Sequence, residues 1–317
     1  MHDFKITLAN LLKAKFPFVY IPTWEEERIL ETIESIASNE ELIKTKRNVL
    51  TWKITTGMGG DDIPNKEATK NPIKALEFIE DYEGPSIFVL LDFHIFLGDK
   101  NQKPDGIVIR KLRDLIIKLK QSPAPKNIIF VSPSTVLPDE LQKDVTILEF
   151  DLPTMEEITE LLDEMIEANQ ESGRILIEIS PDEKERLVKA AVGLTLQEAE
   201  NAFARAMVDD GCLDISDLEI ILEEKSQIIK KIGILEFIES DVRIKDVGGL
   251  ENLKKWLRKR DKSWLDSAKK YCLPAPKGVL ITGVPGCGKS LIAKSISSVW
   301  QLPLLRLDVS RIFSGIV

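Results

Sequence analysis

A chain of 317 residues is long enough for about two domains, each with its own hydrophobic core. Its 43 Lys and Arg residues stand against 52 Asp and Glu, and the net charge of −9 argues against a general binder of nucleic acid or of anionic membranes. The apolar runs are far shorter than the roughly 18 residues of a membrane-spanning helix. Residues 1–5 lack the basic start of a secretion signal.

The first 150 residues alternate between strand-like and helix-like segments. Helices are predicted at 25–36 and 107–119, where apolar residues recur three and four positions apart. Short apolar runs predict strands at 18–21, 49–52, 87–91, 127–131 and 146–150. This alternation predicts a mainly parallel sheet covered by helices.

The pattern changes after residue 150, where three capping boxes succeed one another. In each, a Ser or Thr stands three positions before a Glu, at the start of an amphipathic run. The pairs are Thr154 with Glu157, Ser180 with Glu183, and Thr195 with Glu198. Residues 151–232 are therefore predicted to form an all-helical subdomain, and 233–245 a connector to a second module.

This second module begins at residue 246. Residues 246–250 lead into a helix rich in Lys and Arg at 254–262. The apolar segment 279–282 predicts a buried strand, and helical spacing after it continues to about Trp300. A further strand is predicted at 304–308. The basic helix is interpreted as a solvated face and not as a nucleic-acid contact.

Between the strand and the helix of this module lies a phosphate-binding motif: Gly, four residues, then Gly-Lys-Ser. Its glycines allow the positive φ angles that turn backbone N–H groups inward. Lys289 reaches the terminal phosphates, and the Ser290 hydroxyl holds Mg²⁺. Both residues open a helix whose N-terminus favours anions. The loop consists of Gly283, Val284, Pro285, Gly286, Cys287, Gly288, Lys289 and Ser290.

The alternative for this segment is a glycine-rich turn with an incidental lysine. The order strand, loop, helix is the one that the motif demands, and it favours the phosphate site.

Segments 246–250 and 276–280, followed by the phosphate-binding loop, resemble those of AAA+ ATPases. More narrowly, segments 255–257, 271–274 and 302–309 resemble those of a divergent AAA+ group of cyanobacteria and plastids known from a chloroplast reading frame. The resemblance implies ATP and Mg²⁺ as ligands, an adenine pocket around the backbone of Val247 and Gly248, and Leu291 as a neighbour of the phosphates.

The same resemblance implies an α/β fold with a P-loop-like, three-layer AAA+ core and an all-helical lid. Residues 1–150 are then a degenerate core without a phosphate loop, 151–232 its lid, 233–245 a connector, and 246–317 the first, incomplete part of a second core with only its Walker A loop. The location implied is the bacterial cytoplasm or the plastid stroma.

The N-terminal core resembles an inactive copy of the second one. Segment 87–91 with Asp92 is similar to a Walker B strand, but Phe93 stands where the family has a catalytic glutamate. Glutamates occupy 25–27, where an active core carries its glycine-rich loop, and they repel phosphates. We expect this core to bind no nucleotide. Asp92 is interpreted as a strand-end residue, and His94 as a packed or surface side chain.

The complete protein is expected to hydrolyse ATP in a homo-oligomeric ring and thereby remodel a protein partner. Residues 1–317 contain no Walker B strand, sensor or arginine finger after the loop, so the chain is predicted to be truncated and without catalytic residues. It is predicted to hydrolyse ATP negligibly and to bind it weakly if at all. The alternative is a non-enzymatic interaction or regulatory module with a vestigial nucleotide site.

Three cysteines, Cys212, Cys272 and Cys287, have no paired spacing and indicate a reducing compartment without a zinc site. Cys287 places a thiol inside the phosphate loop. One hypothesis makes nucleotide binding sensitive to alkylation of this thiol, and the other regards Cys287 as a small residue that fits.

Overall fold

The computed structural model describes residues 2–60, 63, 65–98, 103–172, 175–232, 235–238, 247–260, 278–300 and 304–307. The chain divides into two compact units, Met1–Asp214 and Ile215–Val317. Each unit is built around its own secondary structure.

The first unit contains a six-stranded sheet in the order β3-β2-β4-β5-β1-β6. All neighbours are parallel except β2 and β3, which form an antiparallel hairpin that the sequence pattern did not predict. The strands are β1 Phe18–Pro22, β2 Asn48–Lys53, β3 Gly57–Met58, β4 Ser86–Leu91, β5 Lys126–Ser132 and β6 Val145–Ile147. The mainly parallel sheet predicted from the alternation is confirmed.

Helices cover both faces of this sheet and make it the middle of three layers. Alternate residues of β4 face opposite ways: Phe88 and Leu90 enter one hydrophobic core, and Ile87 and Val89 enter the other. Because both faces are buried, the strands read as continuous apolar runs. The helices are α1 His2–Lys13 and α2 Glu26–Ser38 on one face, and α3 Pro72–Asp81 and α4 Gly106–Gln121 on the other.

The strand order matches the P-loop-like AAA+ core. Strand β1 is followed in the chain by β2, yet β4 and β5 lie between them in the sheet. The carboxyl ends of β1, β4 and β5 therefore meet at one edge, next to the segment that connects β1 to α2. In parallel α/β sheets such an edge is where ligand sites form.

Strand β6 ends at Ile147, three residues before the predicted end at 150. Beyond it the Phe150 ring lies 5.0 Å from that of Phe4 in an edge-to-face contact. Backbone pairing continues to Leu148, whose N–H donates to the Tyr20 carbonyl at 2.9 Å, and after it Phe150 packs against α1.

The helical region after this sheet contains α5 Met155–Ser172, α6 Pro181–Ala191 and α7 Leu196–Asp209. All three predicted capping boxes are formed; in the third, the Thr195 hydroxyl accepts from the Glu198 N–H at 3.2 Å and Glu198 accepts from the Thr195 N–H at 2.9 Å. A short parallel pair, β7 Leu176–Ile177 and β8 Cys212–Leu213, lies within this region.

The second unit contains α8 Asp217–Ile232, β9 Leu235–Ile238, α9 Glu251–Arg260, α10 Lys289–Trp300 and β10 Leu304–Leu307. Helix α10 and strand β10 were both predicted. Strand β9 lies in the predicted connector 233–245 and pairs antiparallel with β10. Residues 239–245 of the connector and Asp308 lie outside the described residues.

The strand predicted at 279–282 is wrong. Residues 278–284 have no regular secondary structure, and Leu280 is 90% exposed. A strand requires a hydrogen-bonded neighbour, and within the described part of this unit β9 and β10 pair only with each other. Apolar character alone therefore did not produce a strand here.

Candidate phosphate-binding site

The candidate site begins with the turn that leads into α10. Helix α10 starts at Lys289, and the Lys289 ammonium donates to the carbonyl oxygens of Gly283 at 2.9 Å and Val284 at 2.8 Å. The side chain thus folds back over the beginning of the loop. The structure therefore places the Lys289 ammonium next to Gly283 and Val284, the first two residues of the same motif.

Glycine is required in this loop for two separate reasons. Gly286 and Gly288 have φ of 82° and 89°, which side chains rarely adopt. At Gly283 a Cβ would lie 2.7 Å from the Cys287 Sγ, so the exposed Cys287 side chain would have to move. The glycines of the motif are thus explained by backbone conformation and close approach.

The donors of this loop fit a phosphate group. Cys287 donates its N–H to the Val284 oxygen at 3.4 Å. Within the described residues, the N–H groups of Gly286, Gly288, Lys289 and Ser290 donate to no protein acceptor. Several N–H groups, a helix N-terminus and an ammonium together form an anion site. The Ser290 side chain is exposed, and its hydroxyl is of the type that binds Mg²⁺.

Cys287 lies beside this cation. Its Sγ is 3.9 Å from the Lys289 Nζ, and the residue is exposed. The sensitivity to alkylation stays a prediction, because this contact alone does not establish reactivity.

The residues predicted near adenine lie in the same unit. Val247 and Leu257 are buried near Ile292 and Ile296 of α10, while Leu250 and Gly248 are exposed. The structure thus brings Val247 to the helix that begins at the end of the loop. Contact with adenine stays a prediction, because the space among these side chains is only about 10 Å³.

The corresponding position of the N-terminal core, between β1 and α2, has a different construction. Three residues without glycine, Thr23, Trp24 and Glu25, make the connection. The Glu25 carboxylate is only 8% exposed and does not cap its own helix. One of its oxygens accepts from Arg28 Nη1 at 2.6 Å, and the other accepts from the N–H of Leu196 at 2.8 Å.

Sequence reasoning missed this arrangement. The sequence indicated residues 25–27 only as charges that repel phosphate, but the Glu25 side chain reaches the first residue of α7, 171 positions away in the chain. The available signal was the spacing of Glu25 and Arg28, which permits an ion pair within one helical turn. The partner in α7 gives no local signal.

Two other residues mark the same edge of the sheet. Asp92 follows β4 with φ of 54°, is half-exposed, and lies 3.6 Å from the Nδ1 of His94. The Tyr20 hydroxyl of β1 lies 2.6 Å from the Ser132 Oγ and donates to the Ser134 carbonyl at 2.7 Å. Burial raises the pKa of Tyr20 above its usual value. Side chains at this edge of the sheet therefore contact other groups of the same chain.

An open cleft of about 590 Å³ adjoins this edge, between the start of α2 and the start of α7. Trp24, on its wall, is 77% exposed. Acidic side chains predominate among the described residues that line the cleft. Its basic residues there are Arg28 and Lys53, and its acidic ones are Glu25, Glu26, Glu27, Glu31, Glu198 and Glu200. The excess of negative charge is the opposite of what a phosphate requires.

Comparison with known proteins covers most of the chain. Residues 4–150 match the N-terminal domain of SpoVK-like AAA ATPases, and 156–232 match the second domain of the same group. Residues 279–317 match the ATPase family associated with various cellular activities (AAA). The chain belongs to the AAA ATPase family.

Among similar proteins are those named uncharacterized AAA domain-containing protein ycf46. The one from Guillardia theta is 39% identical over 317 residues, which cover 99% of this AAA ATPase chain and 58% of the relative. The one from Trieres chinensis is 38% identical over 320 residues, 99% of this chain and 60% of the relative. A proteasome-associated ATPase of Acidimicrobium ferrooxidans is 64% identical over 28 residues, 9% of this chain and 5% of the relative.

The chain spans about three fifths of the length of the ycf46 relatives. In the described part of this AAA ATPase chain, no helix is both long and apolar enough to cross a membrane.

Proposed function

We propose that residues 283–290 bind the phosphates of ATP. The observation that carries the proposal is the set of N–H groups around Gly286 to Ser290 that have no protein acceptor among the described residues, beside the Lys289 ammonium. In this assignment Lys289 leaves the carbonyl oxygens of its own loop and pairs with the terminal phosphates. Ser290 holds Mg²⁺ through its hydroxyl.

The remaining assigned residues shape the site. Val284 and Pro285 form the outer turn, Leu291 continues α10 beside the phosphates, and the backbone of Val247 and Gly248 contacts adenine. We assign no catalytic residue within 1–317. The N-terminal core is proposed to bind no nucleotide, which agrees with the glutamates at 25–27 and with the acidic cleft. The limits of the core, lid and second module are proposed at 150, 232 and 246.

For the complete protein we propose ATP-driven remodelling of a protein partner by a homo-oligomeric ring in a bacterial cytoplasm or plastid stroma. Membership of the AAA family supports this proposal. The short similarity to a proteasome-associated ATPase extends over only 28 residues. The partner itself is not specified by any residue of the chain.

Titration of the 317-residue chain with a fluorescent ATP analogue, with and without Mg²⁺, tests the site. Lys289→Ala should weaken binding at least about tenfold, because a charge-assisted contact to phosphate is lost. Lys294→Ala, on the same helix, is the matched control and should bind like the wild type. Equal affinity of the Lys289→Ala variant and the wild type would exclude this loop as the phosphate site.

The alternative, an interaction module with a vestigial site, is favoured by one observation. Residues 278–284 lie outside any strand, so the loop has no sheet behind it in the described part of its unit. Absence of Mg²⁺-dependent nucleotide binding by the wild type, together with an intact fold, would support this alternative.

A further inference from the structure

We propose that Glu25 and Arg28 form a built-in latch that fixes the lid helices α5 and α7 to the N-terminal core without any nucleotide. We call these two residues the Glu25–Arg28 latch. The inference concerns the N-terminal unit and is independent of the proposed phosphate site at 283–290.

Arg28 connects three parts of the first unit. From α2 in the core, its guanidinium donates to the Asp151 carbonyl at 2.7 Å and to the two oxygens of Glu157 at 3.3 and 3.4 Å. Its central carbon also lies 4.4 Å from the centre of the Phe150 ring. Asp151 belongs to the segment that joins core and lid, and Glu157 to the first turn of α5. A single side chain thus contacts core, junction and lid.

Glu25 makes the second connection, to α7. Its carboxylate accepts from the N–H of Leu196, the first residue of that helix. The capping box of α7 already satisfies the N–H of Glu198 through Thr195. Glu25 therefore satisfies an N–H group that the helix cannot pair by itself, and it places a negative charge at the positive end of the helix. Helix N-termini bind phosphate by the same physics.

The two residues of the latch are buried and paired with each other. Glu25 and Arg28 are 8% and 6% exposed, and they pair with each other at 2.6 Å. Separating the lid from the core would break the hydrogen bonds from Arg28 to Glu157 and from the Leu196 N–H to Glu25, all of which involve a charged group and are therefore stronger than neutral hydrogen bonds. A nucleotide that bridges core and lid would supply the anion from outside. Here the anion is part of the chain, so the contact persists in the absence of ligand.

Hydrogen exchange of the full chain, followed residue by residue, tests this latch. Glu25→Ala should raise exchange of the first-turn amides of α5 and α7 about tenfold or more, because charge-assisted hydrogen bonds are lost, while exchange in β4 and β5 stays unchanged. Glu25→Gln keeps the shape and an acceptor oxygen, and should give a smaller increase. Glu27→Ala is the matched control, since it removes a charge from an exposed position of the same helical turn.

Adding a small anion to Glu25→Ala distinguishes the loss of the latch from a general loss of stability. Formate fits the volume removed in Glu25→Ala and can pair with Arg28 and the start of α7. It should restore slow exchange in Glu25→Ala and have no effect in Glu27→Ala. Sodium chloride at the same ionic strength controls for screening.

Three outcomes would overturn the proposal. Lid exchange in Glu25→Ala could equal that of the wild type, or formate could act equally on both variants. Alternatively, ATP could slow lid exchange of α5 and α7 in the wild type, which would show that a nucleotide holds the lid. Failure of ATP to bind at 283–290 would leave all three readouts unchanged, so the two proposals fail separately.

Discussion

Single hydroxyl groups contribute measurably to the first unit when they are buried at the edge of the sheet. Tyr20→Phe removes the hydrogen bonds to Ser132 and Ser134 and leaves their oxygens without this partner. We expect a loss of about 1–2 kcal/mol in the free energy of unfolding, measured by urea denaturation. Tyr82→Phe is the control, because the Tyr82 hydroxyl accepts only an exposed contact from Asn48. Equal losses in both variants would contradict the role given to Tyr20.

A second residue-scale prediction comes from the φ of 89° at Gly288. Nothing lies within 4 Å of the place where a Cβ would stand, so Gly288→Ala meets no clash and is penalised only by its backbone conformation, by about 1–2 kcal/mol. The loop should change conformation and bind the ATP analogue at least about tenfold more weakly. Gly106→Ala, at the start of α4 and with equally open space, should be neutral or slightly stabilising.

For single residues, the sequence predicted the features that depend on local backbone conformation. The glycines of the loop and the three capping boxes could be found, because φ preferences and the spacing of a Ser or Thr to a Glu act over a few residues. The role of Glu25 could not be predicted, because its hydrogen-bond donor, the Leu196 N–H, is distant in sequence and becomes a neighbour only in the folded chain.

Between elements, α3 and α4 are joined by an ion cluster on the surface. The Glu80 carboxylate of α3 pairs with Lys111 at 2.8 Å and with Lys118, both from α4. The hydrogen bonds from Lys111 and Lys118 lower the pKa of Glu80 below its usual value. A carboxylate with a lowered folded-state pKa stabilises the protein above its unfolded pKa, and this contribution is lost as the pH falls through the folded-state value.

The free energy of unfolding should therefore decrease as the pH falls below about 4.5, the ordinary range of a glutamate. In Glu80→Gln part of this decrease should be absent, whereas Glu83→Gln, on the loop after α3, should keep the wild-type profile. Denaturant titrations between pH 7 and pH 3 measure the difference. Identical profiles of Glu80→Gln and the wild type would show that the ion cluster contributes nothing to the pH dependence of the free energy of unfolding.

At the level of elements, burial decided which predictions succeeded. Strands β4 and β5 were found because both faces are covered, so their apolar runs are continuous. Segment 279–282 is also mostly apolar, but a strand is defined by its hydrogen-bonded neighbours, and in the described part of this unit β9 and β10 pair with each other and not with 279–282. The hairpin at β3 has only two residues, too few for a periodic pattern.

For the whole molecule, the division into two units predicts two separable responses to ligand and mutation. In scanning calorimetry, MgATP should raise the midpoint of one transition only, because binding stabilises the unit that holds the ligand. Lys289→Ala should abolish this shift. Glu25→Ala should lower the other midpoint and leave the shift by MgATP intact. A single transition that responds to both variants would show that the units unfold together.

The distance along the chain between the latch and its partner also has a consequence for synthesis. The last strand of the sheet ends at Ile147, but Leu196 is made roughly fifty residues later. At about 5–20 residues per second a ribosome needs on the order of a few seconds for that stretch. During this interval the residues of the sheet and of both helical layers have been made. Glu25 still lacks its contact with Leu196 in α7. The nascent core therefore reaches its final stability only when the first turn of α7 has left the ribosome.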